Sequence, residues 1–282
     1  MRNILCVTLI ALLGGCTSTS VTEKYQDKRN DIINVKDKVI EFETGNVLIG
    51  SVSRLYMSNK CLLIADHKSV DKQIHIFNKN DFSYLTSIGN FGEGPEEITV
   101  MGCLAIDEAH HQLYVSDHAK QKIFSYDMDS VMVDSLYKPQ VKTAMNETLF
   151  PSEYQYINDT LSIAVLIKPT STSTFNQFLG RWNMNTGEMI PMKYTHPDIQ
   201  KKRITFAASE KAGIYVECYT RHDLMTICSL DGELLYNIYG PDWDGGNGNK
   251  LQSFGTVMIG NDKIFVSYCG EDYARDSFPT KI

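Results

Sequence analysis

Positive charge is in short supply in this sequence. Lys and Arg number 27 against 34 Asp and Glu, for a net charge of −7 at neutral pH, and no basic cluster interrupts that balance. Nucleic-acid binding needs a positive face to meet phosphate, so the composition argues against that class. Long apolar runs are missing as well. The first, Ile4 to Leu13, is too short for a spanning helix, which needs about 20 residues, and no second one follows. The cysteines follow no CxxC or zinc-site spacing. There is no Gly-x-Ser-x-Gly elbow, and no Ser/His/Asp or paired-carboxylate set can be assembled from spacing. No cofactor is implied, and no amphipathic helix is apparent. What is present, 43% hydrophobic and 22% charged residues, is the composition of an ordinary core-forming chain.

The N-terminus carries the most specific local signal. Arg2 supplies a positive start, Ile4 to Leu13 an apolar run, and Gly14 and Gly15 small residues just before Cys16. That order reads as a cleavable export signal. Leu13-Gly14-Gly15-Cys16 resembles the bacterial lipobox, in which the cysteine is diacylated and becomes the new N-terminus. Two acyl chains on one residue give stable anchoring where one would be marginal. Residues 1–16 are thus expected to be a lipoprotein signal with lipidation at Cys16, and residues 17–34, polar and aperiodic, a flexible tether. Thr17-Ser18 provides neither an inner-membrane retention aspartate nor an acidic surface-export tag, which favours the outer membrane, facing the periplasm or the cell surface. Of the seven cysteines, Cys61, Cys103, Cys218, Cys228 and Cys269 remain in the mature chain. An oxidising compartment permits one disulfide among them, whose partners the spacing does not specify.

An internal repeat dominates the rest. Runs beginning at Leu62, Leu113, Leu161, Ile214 and Ile264 are each nearly continuous in apolar residues, and their starts differ by 51, 48, 53 and 50. A polar turn and another short run precede each, and third and fourth runs follow the first four, as in Ile74-His75-Ile76-Phe77 and Ile123-Phe124-Ser125-Tyr126. Four short strands every fifty residues, joined by tight polar turns, predict the blades of a β-propeller. A lone four-stranded blade cannot bury both faces, and radial stacking covers them.

The stretch Ile88-Gly89-Asn90-Phe91-Gly92-Glu93-Gly94-Pro95-Glu96-Glu97 resembles the G-x-x-G-x-G-P-G-E turn of TolB-like six-bladed β-propeller lipoproteins, related in fold to NHL-repeat propellers. Glu96 departs from the glycine usual there, which puts the local turn in question. The resemblance implies an all-β propeller of four-stranded antiparallel blades over residues 35–282. Four and a half blades fit the length: the fifth unit holds two strands, and the chain ends where a third would begin. A shortened six-bladed ring is therefore expected, with Val39-Ile40-Glu41-Phe42 as the strand that would close onto the missing blade.

Several constellations invite chemistry. Asp66-His67 and Asp117-His118 end equivalent strands in the first two units. The aspartates suit turn capping, and His67 and His118 are candidate ligand contacts near one mouth of the propeller. His110-His111 suggests a metal, but adjacent residues project differently and no third ligand has a recognisable spacing, so a solvated turn is expected. Asp242 to Asn249 is loosely calcium-loop-like but lacks the twelfth-position glutamate, Ser253 standing there, so a connecting loop is the better account. No metal site is therefore assigned. The Gly89–Pro95 loop lacks the Lys-Ser/Thr of a phosphate cradle. Pro169 to Asn176 and Asp242 to Gln252 are candidate recognition loops. These features point to a membrane-anchored binding or scaffolding module for a glycan, peptide or protein partner. The alternative is a lyase or hydrolase acting on an extracellular polymer.

Overall fold

The computed structural model describes residues 21–28, 37, 40–134, 136–200, 202–245 and 251–272. Cys16 and the expected signal lie outside the described residues. Strands group into four blades and a hairpin. Blade I comprises β2 (Ser53–Met57), β3 (Cys61–Asp66), β4 (Lys72–Asn78) and β5 (Tyr84–Asn90). Blade II comprises β6 (Met101–Asp107), β7 (Gln112–Asp117), β8 (Lys122–Asp127) and β9 (Gln140–Ala144). Blade III holds β10 (Phe150–Asn158), β11 (Leu161–Pro169), β12 (Phe175–Trp182) and β13 (Met189–Pro191). Blade IV holds β14 (Ile204–Ser209), β15 (Ile214–Tyr219), β16 (Leu224–Ser229) and β17 (Leu234–Tyr239), and the hairpin pairs β18 (Leu251–Gly260) with β19 (Lys263–Asp272). Each blade runs in sequence order with antiparallel neighbours.

The first four repeat runs become the second strands, flanked on both sides, which is why they are apolar on both faces, while the fifth falls in β19 of the hairpin. Every residue of Cys61–Asp66 is buried. First strands are innermost: β6 lies against β10, and β14 against β18. The core consists of layers between successive blades rather than one central mass. Leu63, Ile76, Leu104, Leu113 and Phe124 fill the layer between blades I and II, Tyr154, Ala164, Leu166 and Trp182 join the layer between II and III, and Val165, Leu179, Tyr215 and Leu224 that between III and IV.

Three segments depart from expectation. Glu23–Tyr25, read as part of the tether, forms β1 and pairs in parallel with β17, making blade IV five-stranded. Three residues are too few to show a period, and the partner lies more than 200 positions away. Second, one short helix, α1 (Met128–Val133), follows β8, with the Asp127 side chain accepting from the Ser130 N–H as its N-cap. Third, the described part of the expected closing strand, Ile40 to Phe42, is not a strand. Phe42 instead stacks on Phe82 with ring centroids 4.5 Å apart and meets Phe77 edge-on.

The conspicuous glycine turn is a connector wrapped around a cation. Lys120 Nζ donates to the carbonyls of Gly94 and Glu97 at 2.5 and 2.6 Å, while the Glu97 carboxylate accepts from the Gly94 N–H at 2.8 Å. With its carbonyls turned inward onto an ammonium, the loop is no anion cradle. Glu96 needs no glycine conformation, being absent from the residues with positive φ, and it pairs with Lys138 at 2.8 Å.

Candidate functional site

The axial ends of the second strands carry the densest set of polar groups. Asp66 and Asp117 cap the turns there, as their spacing predicted. Asp66 accepts from the N–H groups of Gly50 and Lys68, and Asp117 from those of Thr99, Val100, Ala119 and Lys120. The backbone N–H of His67 donates to Val52 O and that of His118 to Val100 O, which turns both imidazoles toward the first strand of the next blade. His67 Nδ1 meets Met101 O at 3.1 Å, and the His118 ring lies edge-on to Phe150 with centroids 5.9 Å apart. The two are near enough that each charge would oppose the other. Burial holds both imidazoles below the ordinary histidine range. Their Nε2 atoms are buried and have no hydrogen-bond partner among the described residues.

Around these histidines the first strands contribute residues that spacing had not singled out. Arg54 on β2 donates to Glu153 on β10 at 2.8 Å, so the pair bridges blades I and III across blade II. Burial works against the Arg54 guanidinium, but the Glu153 carboxylate more than offsets it, and the net shift is upward. Gly102 on β6 stands 48 residues after Arg54 and 51 before Glu153. The position between the two ions is therefore a glycine, and a Cβ there would lie 2.4 Å from both His118 Nε2 and Ser116 Oγ. Deeper in, burial pushes the Tyr56 hydroxyl and the Cys103 thiol up to about 12. Neutral thiol, phenols and imidazoles beside one ion pair make a hydrogen-bonding surface, without an activated nucleophile.

Elsewhere the candidate groups are engaged. His110 Nδ1 bonds Asp107 at 2.8 Å, and His111 pairs with Asp129 at the same distance. The structure does bring a third group that spacing had not revealed: Asp159, from blade III, joins Asp107 and His110 with ligand atoms all within 4.8 Å of one another. Two of these three residues are exposed, and Tyr156 donates to Asp159 at 2.7 Å. The Asp242 carboxylate accepts from Tyr268, and residues 246–250 of that loop lie outside the described residues. In the Pro169–Asn176 loop, Thr170 and Ser171 bond Thr174, closing the hairpin end on itself. The five cysteines named above are free, and all but Cys269 are buried. At the opposite end from the histidines, between blades I and II, lies an apolar cleft of about 360 Å³ lined by Leu63, Leu85, Ile106, Met128 and Met132.

Known proteins resemble the chain in fold. A structure from Bacteroides fragilis NCTC 9343, named as a candidate exported protein, superposes with a TM-score of 0.53 at 14% identity, over 88% of this chain and 73% of its own. A DUF4221 member from Bacteroides vulgatus gives 0.49 at 11% identity, over 64% of this chain. This chain spans 56% of the length of that protein. A chain of the nidogen/laminin complex also gives 0.49 at 11% identity, over 74% of this chain and 68% of its own. No curated protein sequence matches. The family DUF5128, described as a 6-bladed beta-propeller, matches residues 17–179, more than half of the sequence, and the chain belongs to that family.

Proposed function

We propose that this protein is an exported, lipid-anchored propeller of the TolB-like kind. Its axial mouth, formed by His67, His118, Arg54 and Glu153, binds a glycan, peptide or protein partner in the cell envelope. The observation that carries the binding reading is the cluster itself: His67 lies within electrostatic reach of Arg54 and of His118, and the Arg54–Glu153 pair beside them is exposed. An exposed guanidinium and carboxylate can donate to and accept from the hydroxyl, amide or carboxylate groups of a ligand. The lipobox-like run ending at Cys16 and the name of the Bacteroides fragilis relative support export. Among the described residues, no helix is long and apolar enough to cross a membrane, so anchoring would rest on the lipid. The sequence after Cys16 favours the outer membrane.

The test is thermal unfolding of the purified protein with panels of glycans and peptides. A true ligand raises the midpoint, because binding to the folded state alone adds RT ln(1 + [L]/Kd), about 2.7 kcal/mol at a hundredfold excess over Kd. The gain should vanish in the His67→Ala/His118→Ala variant. A ligand that stabilises the variant as much as the parent binds elsewhere, and the axial assignment is then wrong.

A further inference from the structure

The N-terminal strand fixes more than the edge of a sheet. Glu23 is held at a rim position by two groups of blade IV: Asn237 Nδ2 donates to Glu23 Oε1 at 3.1 Å and the Tyr239 hydroxyl donates to Oε2 at 2.5 Å, while Asn237 also donates to the hydroxyl of Tyr194, on the connection between blades III and IV, at 2.7 Å. Backbone bonds flank the anchor, with Asn237 N–H donating to Thr22 O and Gln26 N–H to Tyr239 O, both at 2.9 Å. Tyr25 stacks on Tyr239 with centroids 4.7 Å apart, and Lys24 Nζ sits 5.7 Å from the centre of the Tyr236 ring. β1 is the outermost strand of blade IV, so this docking point lies on the rim, away from the axis.

Six residues, Thr17 to Thr22, separate Cys16 from Glu23. Fully extended, the seven Cα steps reach roughly 25 Å. A lipid on Cys16 is therefore leashed to the rim of blade IV, because β1 docks only seven residues after it. The surface beside the docking point suits an interface: Val21, Tyr25, Leu235 and Tyr236 are exposed, and Lys24 lies among them. Tyrosine and lysine are favoured where hydrocarbon meets headgroups.

We infer that the outer edge of blade IV, built from β1 and β17, is the membrane-facing surface of this protein, and that its partner is a phospholipid bilayer. The inference rests on the proposed lipidation at Cys16. It means that the propeller lies against the bilayer by its rim instead of swinging on a tether.

The full-length lipidated protein is reconstituted in phosphatidylethanolamine–phosphatidylglycerol vesicles containing nitroxide-labelled lipid. A fluorophore is placed by Leu235→Cys on the rim of blade IV, or by Leu85→Cys on the rim of blade I, each in a Cys269→Ser background. Quenching at position 235 is expected to exceed that at 85 several-fold, and a second probe at Tyr236→Cys should match it. Glu23→Ala combined with Tyr25→Ala should remove the asymmetry while the mass of the diacylated protein is unchanged. Equal quenching at the two rims of the lipidated parent overturns the orientation alone. A mass without the diacylglyceryl group overturns the lipidation reading and, with it, this one.

Discussion

His118 packs against the backbone of β6 because position 102 has no side chain. The same device recurs in the hairpin, where a Cβ on Gly255 would lie 2.5 Å from Ser267 Oγ. Both glycines fall at register shifts, in β6 between Met101 and Leu104 and in β18 between Phe254 and Val257. A bulged strand brings its backbone close to a neighbour's side chain, and only glycine leaves the room. Gly102→Ala is expected to cost about 1–3 kcal/mol, the usual range for overpacking a filled site, read as a lower denaturant midpoint with an unchanged slope. An unchanged midpoint would show that His118 moves away freely. The axial histidines were legible in the sequence because they follow aspartates at repeated positions. Arg54 and Glu153 were not, although they stand two periods apart, because an ion pair across blades shows no local pattern. Knowing the ring geometry, one could have found them by aligning the units and asking which inner positions carry opposite charges.

At the scale of strands and turns, the second strands were the easiest to read. Burial on both faces demands continuous apolar residues, and that pattern survives without any knowledge of the partner strand. Leu113, fully buried in the layer between blades I and II, is a direct test of where the core lies. Leu113→Ala should cost about 2–5 kcal/mol, and a loss below that range would mean the layer collapses onto the gap. The misread elements have the opposite character. β1 gains its place from Glu23 and two tyrosines rather than from a hydrophobic period. The helix α1 is six residues long, below the length at which helical periodicity can be told from a turn, and it depends on the Asp127 cap. Phe42 found an aromatic pair on blade I in place of a strand partner.

For the molecule as a whole, buried histidines couple folding to pH. Burial lowers the pKa of His67, His75, His118, His196 and His222, while only His110, beside Asp107, is raised among the histidines whose shift is resolved. In the unfolded chain these imidazoles take up protons near pH 6.5. In the folded chain the five do so only at lower pH, so the unfolded state binds more protons in between and stability falls as pH drops through that window. Melting temperature is expected to be lower at about pH 5.5 than at about pH 7.5. A midpoint that holds or rises on acidification would show that the raised histidine outweighs the buried imidazoles.

The pairing of β1 with β17 also has a consequence in time. The anchor contacts join residues 214 and 216 positions apart, so that docking encloses blades I to IV in one loop. Closing so long a loop is entropically costly until the blades between its ends are in place. A segment made before the blades is thus fixed only after blade IV has formed the edge that receives it. It is also the natural place for the native fold to begin to open: a three-residue strand on a rim can be released without disturbing any layer between the blades.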